Sequence, residues 1–106
     1  MQPTKHTLTF TATGVTKTSK LQENGIVQTL TVVTPTFTNA VTTTITISDL
    51  DGHVLYTSSA LNRSLTTRIV GQYVPVDYGY VITATLSGDA GAGGGDVIVK
   101  TYVEKR

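Results

Sequence analysis

The feature that most constrains this chain is a two-residue alternation of apolar side chains with threonine, repeated along nearly its whole length. Residues 6–13 read His-Thr-Leu-Thr-Phe-Thr-Ala-Thr, and residues 41–48 read Val-Thr-Thr-Thr-Ile-Thr-Ile-Ser. A period of two places successive side chains on opposite faces of an extended strand. In the first segment Leu8, Phe10 and Ala12 share one face and the threonines share the other. No stretch keeps a helical period beyond one turn. Threonine supplies 22 of the 106 residues, and its branched Cβ suits a pleated strand better than a helix. The chain is therefore predicted to be all-β.

The same pattern predicts strands over 6–13, 26–33, 41–48, 53–57, 65–70, 80–87 and 96–103. In 26–33 it groups Ile26, Gln28, Leu30 and Val32 against Val27, Thr29, Thr31 and Val33. Asp49-Leu50-Asp51-Gly52 separates two such runs and reads as a hairpin turn. Residues 88–95, rich in glycine, read as a flexible hairpin loop that could order against a neighbour. Seven short strands in a chain of this length predict a single domain over 1–106. The predicted fold is a seven-stranded antiparallel β-sandwich, immunoglobulin-like, with a small jelly roll as the alternative. Asp77-Tyr78-Gly79-Tyr80 precedes the sixth segment, which makes Tyr80 the candidate for a tyrosine corner. The expected core comprises Leu8, Phe10, Leu30, Val32, Ile45, Ile47, Ile82, Ala84 and Leu86.

Composition narrows the function. Eight Lys+Arg against seven Asp+Glu leave a net charge of +1, without the clustered basic face expected of a nucleic-acid binder. There is no Cys and no Trp, so disulfides, thiolate chemistry and an antibody-type core are excluded. The two histidines, His6 and His53, cannot make a three-His or Cys/His metal cage. Residues 24–48 carry no charge, yet Thr, Asn, Gln and Pro interrupt them throughout, so no membrane helix is expected. The start of the sequence has no apolar signal core, and synthesis in a cytoplasm is the expectation.

The chemical motifs are incomplete. Asp49-x-Asp51-Gly52 resembles the first half of a calcium loop, but the following His53-Val54-Leu55-Tyr56 brings no carboxylate, so a turn without calcium is expected. The run from Gly88 to Asp96 lies between strands, and its flanking Asp89 and Asp96 would repel phosphate. Neither His sits beside a nucleophile signature, and the acids fall mostly in turns, so no enzyme, cofactor or metal is expected. The Thr-x-Thr rows are similar to the ladders of ice-binding solenoids, but their spacing along the chain is not constant.

The outer strand faces carry neutral Thr where a free-standing sandwich usually carries Lys and Glu. Such faces suit repeated packing against other subunits, and a homo-oligomer is expected. The segments Thr67-Arg68-Ile69-Val70-Gly71, Val74-Pro75-Val76-Asp77-Tyr78-Gly79-Tyr80, Thr83-Ala84-Thr85-Leu86-Ser87-Gly88 and Val97-Ile98-Val99-Lys100 resemble small structural proteins of tailed bacteriophages. Val32-Val33-Thr34-Pro35 and Asp51-Gly52 are similar in style. The resemblance implies a non-enzymatic virion protein, foremost a capsid decoration or cement protein, with the major capsid protein or other virion subunits as partners. A head–tail or tail accessory protein, or a carbohydrate-binding module, is the alternative. Arg63, Arg68, Tyr73 and Tyr78 are the candidate partner contacts, because interfaces anchor on aromatics and Arg.

Overall fold

The computed structural model describes residues 3–105. They form β1 (Pro3–Phe10), β2 (Thr16–Lys20), β3 (Gly25–Val33), β4 (Thr43–Ser48), β5 (Val54–Thr57), β6 (Thr66–Val76), β7 (Val81–Leu86) and β8 (Gly95–Lys105). Sheet A has the order β1-β8-β3-β6 and sheet B the order β2-β7-β4-β5, with all pairings antiparallel. The pairs β1·β8, β2·β7, β3·β6 and β4·β5 are nested. The chain is one long hairpin, strands 1–4 out and 5–8 back, rolled so that alternate pairs fall in opposite sheets. This is jelly-roll order. It corrects the expected seven-stranded immunoglobulin-like arrangement, in which the first two strands share a sheet.

The eighth strand is β2. Thr-Lys-Thr-Ser-Lys offers no apolar alternation, and its inward positions, Lys17 and Ser19, are only half-buried. It is a polar edge strand held by β7. The run at 65–70 also extends further than expected, to Val76. It does so through a bulge at 71–73 that bears Gly71 (φ 75°) and Tyr73 (φ 49°). Opposite it, β3 shifts register between Val27 and Thr29 against both of its neighbours. That shift changes which face each residue takes. Val27, Leu30 and Val32 are buried, whereas Ile26 is half-buried. The expected grouping of Ile26 and Gln28 with Leu30 fails at this bulge, since one inserted residue reverses the alternation.

Between the sheets lies a single core. All nine expected residues are buried, with Leu30, Val32, Ile45, Ile47, Ile82 and Ala84 fully enclosed. Ala12, expected inward, is exposed because β1 ends at Phe10. Five core residues come from connections: Leu21, Phe37, Val41, Leu61 and Ala90. Phe37 meets Phe10 edge-to-face, with ring centroids 6.2 Å apart.

The glycine-rich loop is pinned within the molecule. Asn39 N–H donates to the Ala90 carbonyl (3.0 Å), Thr38 Oγ1 to that of Ala92 (2.9 Å) and Gly91 N–H to that of Ala12 (3.1 Å). Gly94 is required here: at φ +59°, a Cβ would stand 1.9 Å from the Phe10 carbonyl oxygen. The expectation of a loop free to order against a neighbour is thus corrected. Its backbone groups and the buried Ala90 methyl fasten it to 10–12 and 37–39.

Candidate interaction surfaces

The outer face of sheet B is a grid of threonines. Because Ile45, Ile47, Ile82 and Ala84 point inward, the residues between them point out. Pairing then aligns Thr18, Thr83, Thr46 and Thr57 in one row across all four strands, and Thr16, Thr85 and Thr44 in the next. A third row holds Lys20, Val81, Ser48 and Val54. The irregular Thr spacing along the chain becomes regular in space. Neighbours stand about 4.8 Å apart across strands and about 6.7 Å apart along them. The seven threonines of the first two rows come from four strands.

Sheet A presents a different face. Its central outward row is Lys5, Lys100, Thr31 and Arg68, in register across β1, β8, β3 and β6. On one side lies the row Pro3, Tyr102, Thr29 and Val70; on the other, Thr7, Ile98, Val33 and Thr66. The acids on outward positions of β8 are Asp96, opposite Thr9, and Glu104, opposite Ile26. Each is four residues from Lys100, about 13 Å along the strand. Glu104 accepts a hydrogen bond from the Gln28 side-chain amide. Among the described residues, no ion pair joins Lys5, Lys100 or Arg68 to an acid. No local pattern in the sequence joins Lys5 and Lys100, which come from opposite ends of the chain.

The two flanks of the sandwich also differ. On one side the edge strands β1 and β2 carry Lys5, Lys17 and Lys20. On the other, β5 and β6 expose Val54, Leu55, Val70 and Tyr73. Lysine on an edge discourages strand addition, whereas exposed apolar residues do not.

The four candidate contact residues are not gathered into one site. Arg68 lies in the cationic row of sheet A. Tyr73, 66% exposed, tops the β6 bulge. Tyr78, 65% exposed, lies in the β6–β7 turn, where its N–H donates to Asn24 Oδ1 (2.8 Å). Arg63 is engaged inside the fold: its Nη1 donates to the carbonyls of Phe37 (2.6 Å) and Thr38 (3.0 Å). Tyr80 is half-buried against the core at the start of β7. The turn around it is closed by backbone bonds, Tyr80 N–H to Asp77 O (3.1 Å) and Leu21 N–H to Tyr80 O (2.7 Å). The strand order is not that of the fold for which a tyrosine corner is defined.

His6 points inward from β1, and its Nδ1 lies 2.9 Å from Ser19 Oγ on β2, clasping the two sheets at one flank. Its Nε2 is buried with no hydrogen-bond partner. Burial lowers the imidazole pKa below its usual 6.5, and Glu23 partly opposes this. Beside it a recess of about 230 Å³ is lined by Thr4, Lys5, His6, Ser19, Lys20 and Gln22. Asp49 Oδ1 accepts from the N–H groups of Asp51 and His53, both at 2.9 Å. This carboxylate organises a turn, as its place between two strands suggests.

No family model matches the chain, and no curated protein matches it. Among solved structures it is similar to that of infectious bursal disease virus, Gx strain, at 15% identity and a TM-score of 0.43, over 94% of this chain and 32% of that one. The Gt strain structure matches at 14% identity and a TM-score of 0.34, over 93% and 31%. The chain thus spans about a third of the length of each.

Proposed function

We propose that this protein is a non-enzymatic structural component of a virion, foremost a decoration or cement protein of a tailed phage that stabilises the particle by packing against neighbouring subunits. The observation that carries the reading is the threonine grid of sheet B. A regular face of hydroxyls and methyls, with Lys20 at its corner as the one cation among the described residues of its rows, loses little when water is removed, since burying a charge costs far more than burying a hydroxyl that finds a partner. Repeated over symmetric copies, such contacts accumulate. The sequence resemblance to small phage structural proteins points the same way. Arg68, Tyr73 and Tyr78 are the proposed anchors, and the particle's major coat subunit or another virion subunit the proposed partner.

The test compares particles with and without this protein. Particles lacking it should release their nucleic acid at a lower temperature, and adding back purified protein should restore resistance. Equal survival with and without the protein refutes the stabilising role. Jelly rolls also serve as lectin domains, so retention on a glycan array by the purified protein would then favour a carbohydrate-binding module.

A further inference from the structure

The cationic row across sheet A makes no ion pair among the described residues, and we infer that it is a docking strip for an extended acidic segment of a neighbouring virion protein; this rests on the structural reading above. Lys5 and Lys100 are direct cross-strand partners. Like charges in that position repel and destabilise the sheet. Arg68 lies in the same row, one neutral Thr31 away. The outward acids of β8, Asp96 and Glu104, sit beyond a Debye length along the strand, and Glu23, which accepts from Thr4 Oγ1 (2.5 Å) at the flank, makes no ion pair with Lys5. The outward face of sheet A thus holds a local excess of positive charge that an external anion relieves.

The shape of the strip selects the occupant. Its three cations span three interstrand gaps, about 14 Å. In an extended chain, three carboxylates on alternate residues span about 13 Å, and the flexible Lys and Arg stems absorb the difference. Rows holding Tyr102 and Val70 on one side and Ile98 and Val33 on the other bound the strip. These rows lie about 7 Å to either side of the cations, and an extended chain laid along the strip meets all three. A nucleic-acid backbone is the poorer fit, because the flanking rows supply no further cations to follow its phosphates.

Fluorescence anisotropy with a labelled peptide of about nine residues that alternates Glu and Thr tests this directly, with a Gln-for-Glu peptide as control. The Glu peptide should bind the intact protein and the Gln peptide should not. Binding should weaken several-fold between about 0.05 M and about 0.3 M salt. Lys5→Gln, Lys100→Gln and Arg68→Gln should each weaken it about two- to fivefold, and the triple variant about thirtyfold. Thermal melts no lower than wild type show that the variants fold, and Thr46→Lys on the opposite face should leave binding unchanged. Equal binding of the two peptides, or wild-type affinity in the triple variant, overturns the inference. So does tighter binding of a single-stranded oligonucleotide through the same three residues. A triple variant that loses the peptide yet stays on particles overturns the docking strip and leaves the structural role standing. Peptide binding without any effect on particle survival does the reverse.

Discussion

The outer faces of the two sheets are built from the same kinds of strand, yet they differ. Sheet B shows seven threonines in register and one lysine at a corner. Sheet A shows three cations in one row, flanked by rows in which Tyr102, Val70, Ile98 and Val33 stand among Pro and Thr, with the outward acids of β8 held apart. On the inside the sheets are alike: both bury Ile, Leu, Val, Phe or Ala in one cluster. The inner faces are equivalent because the same transfer free energy acts on both. Folding leaves the outer faces largely unconstrained, so they are free to differ.

The largest expected effect comes from breaking the core that both faces share. Ile45→Ala empties a fully enclosed site in sheet B and should cost about 2–5 kcal/mol in urea denaturation. Peptide binding on sheet A should be lost in the same transition. If sheet A still bound peptide after sheet B had unfolded, the faces would not belong to one cooperative unit.

Gly94→Ala should come next, at about 1–3 kcal/mol. It forces a Cβ into the Phe10 carbonyl and strains the connection into β8, the strand that carries Lys100. The damage should be greater for sheet A than for the threonine grid, as seen in hydrogen-exchange protection. Equal loss of protection in both sheets would show that the loop couples them.

A smaller effect is expected from pH, through the clasp between β1 and β2. Burial holds the His6 pKa below 6.5, so below pH 6.5 the unfolded chain binds a proton that the folded chain resists. Stability from this group is therefore complete above 6.5 and declines as pH falls toward the lowered folded value. Urea midpoints measured through this range should fall for wild type, and His6→Gln should remove that part of the slope. An unchanged slope in His6→Gln would mean that another group carries the pH dependence.

Lys5→Glu should have the smallest effect and the opposite sign. It replaces a repulsive cross-strand pair with Lys100 by an attractive one and should stabilise the isolated protein by about 0.2–1 kcal/mol, while weakening the acidic peptide. The complementary change on sheet B, Thr83→Glu opposite Thr18 and Thr46, has no charge to relieve and should not stabilise. A gain there equal to that of Lys5→Glu would erase the distinction between the faces.

Much of the fold was legible where alternation was uninterrupted. In β1, β4 and β7 the inward residues Leu8, Phe10, Ile45, Ile47, Ile82, Ala84 and Leu86 follow from hydropathy, because a strand with one buried face must alternate. Where alternation failed, the reading failed. Thr16–Lys20 has no apolar residue to report a strand, and the bulge beside Gln28 reverses the parity of Ile26 and Val27. Of the candidate contacts, Arg68 falls on a charged face, but Arg63 is engaged with the carbonyls of Phe37 and Thr38. No local signal distinguishes an anchor for a partner from an anchor for a loop.

What the sequence by itself determined is the all-β class, the inward set of the regular strands and the turn at Asp49–Gly52, because propensity, period and turn chemistry act within a few residues. Only the tertiary structure decided the nested strand order, and with it every row across a sheet. Thr18, Thr46, Thr57 and Thr83 are scattered in the chain and aligned in space; Lys5 and Lys100 stand at opposite ends of the chain and face each other. A row is a product of pairing between distant segments, and pairing is selected by the shared core and the bulges that set register, which alternation within one strand does not encode.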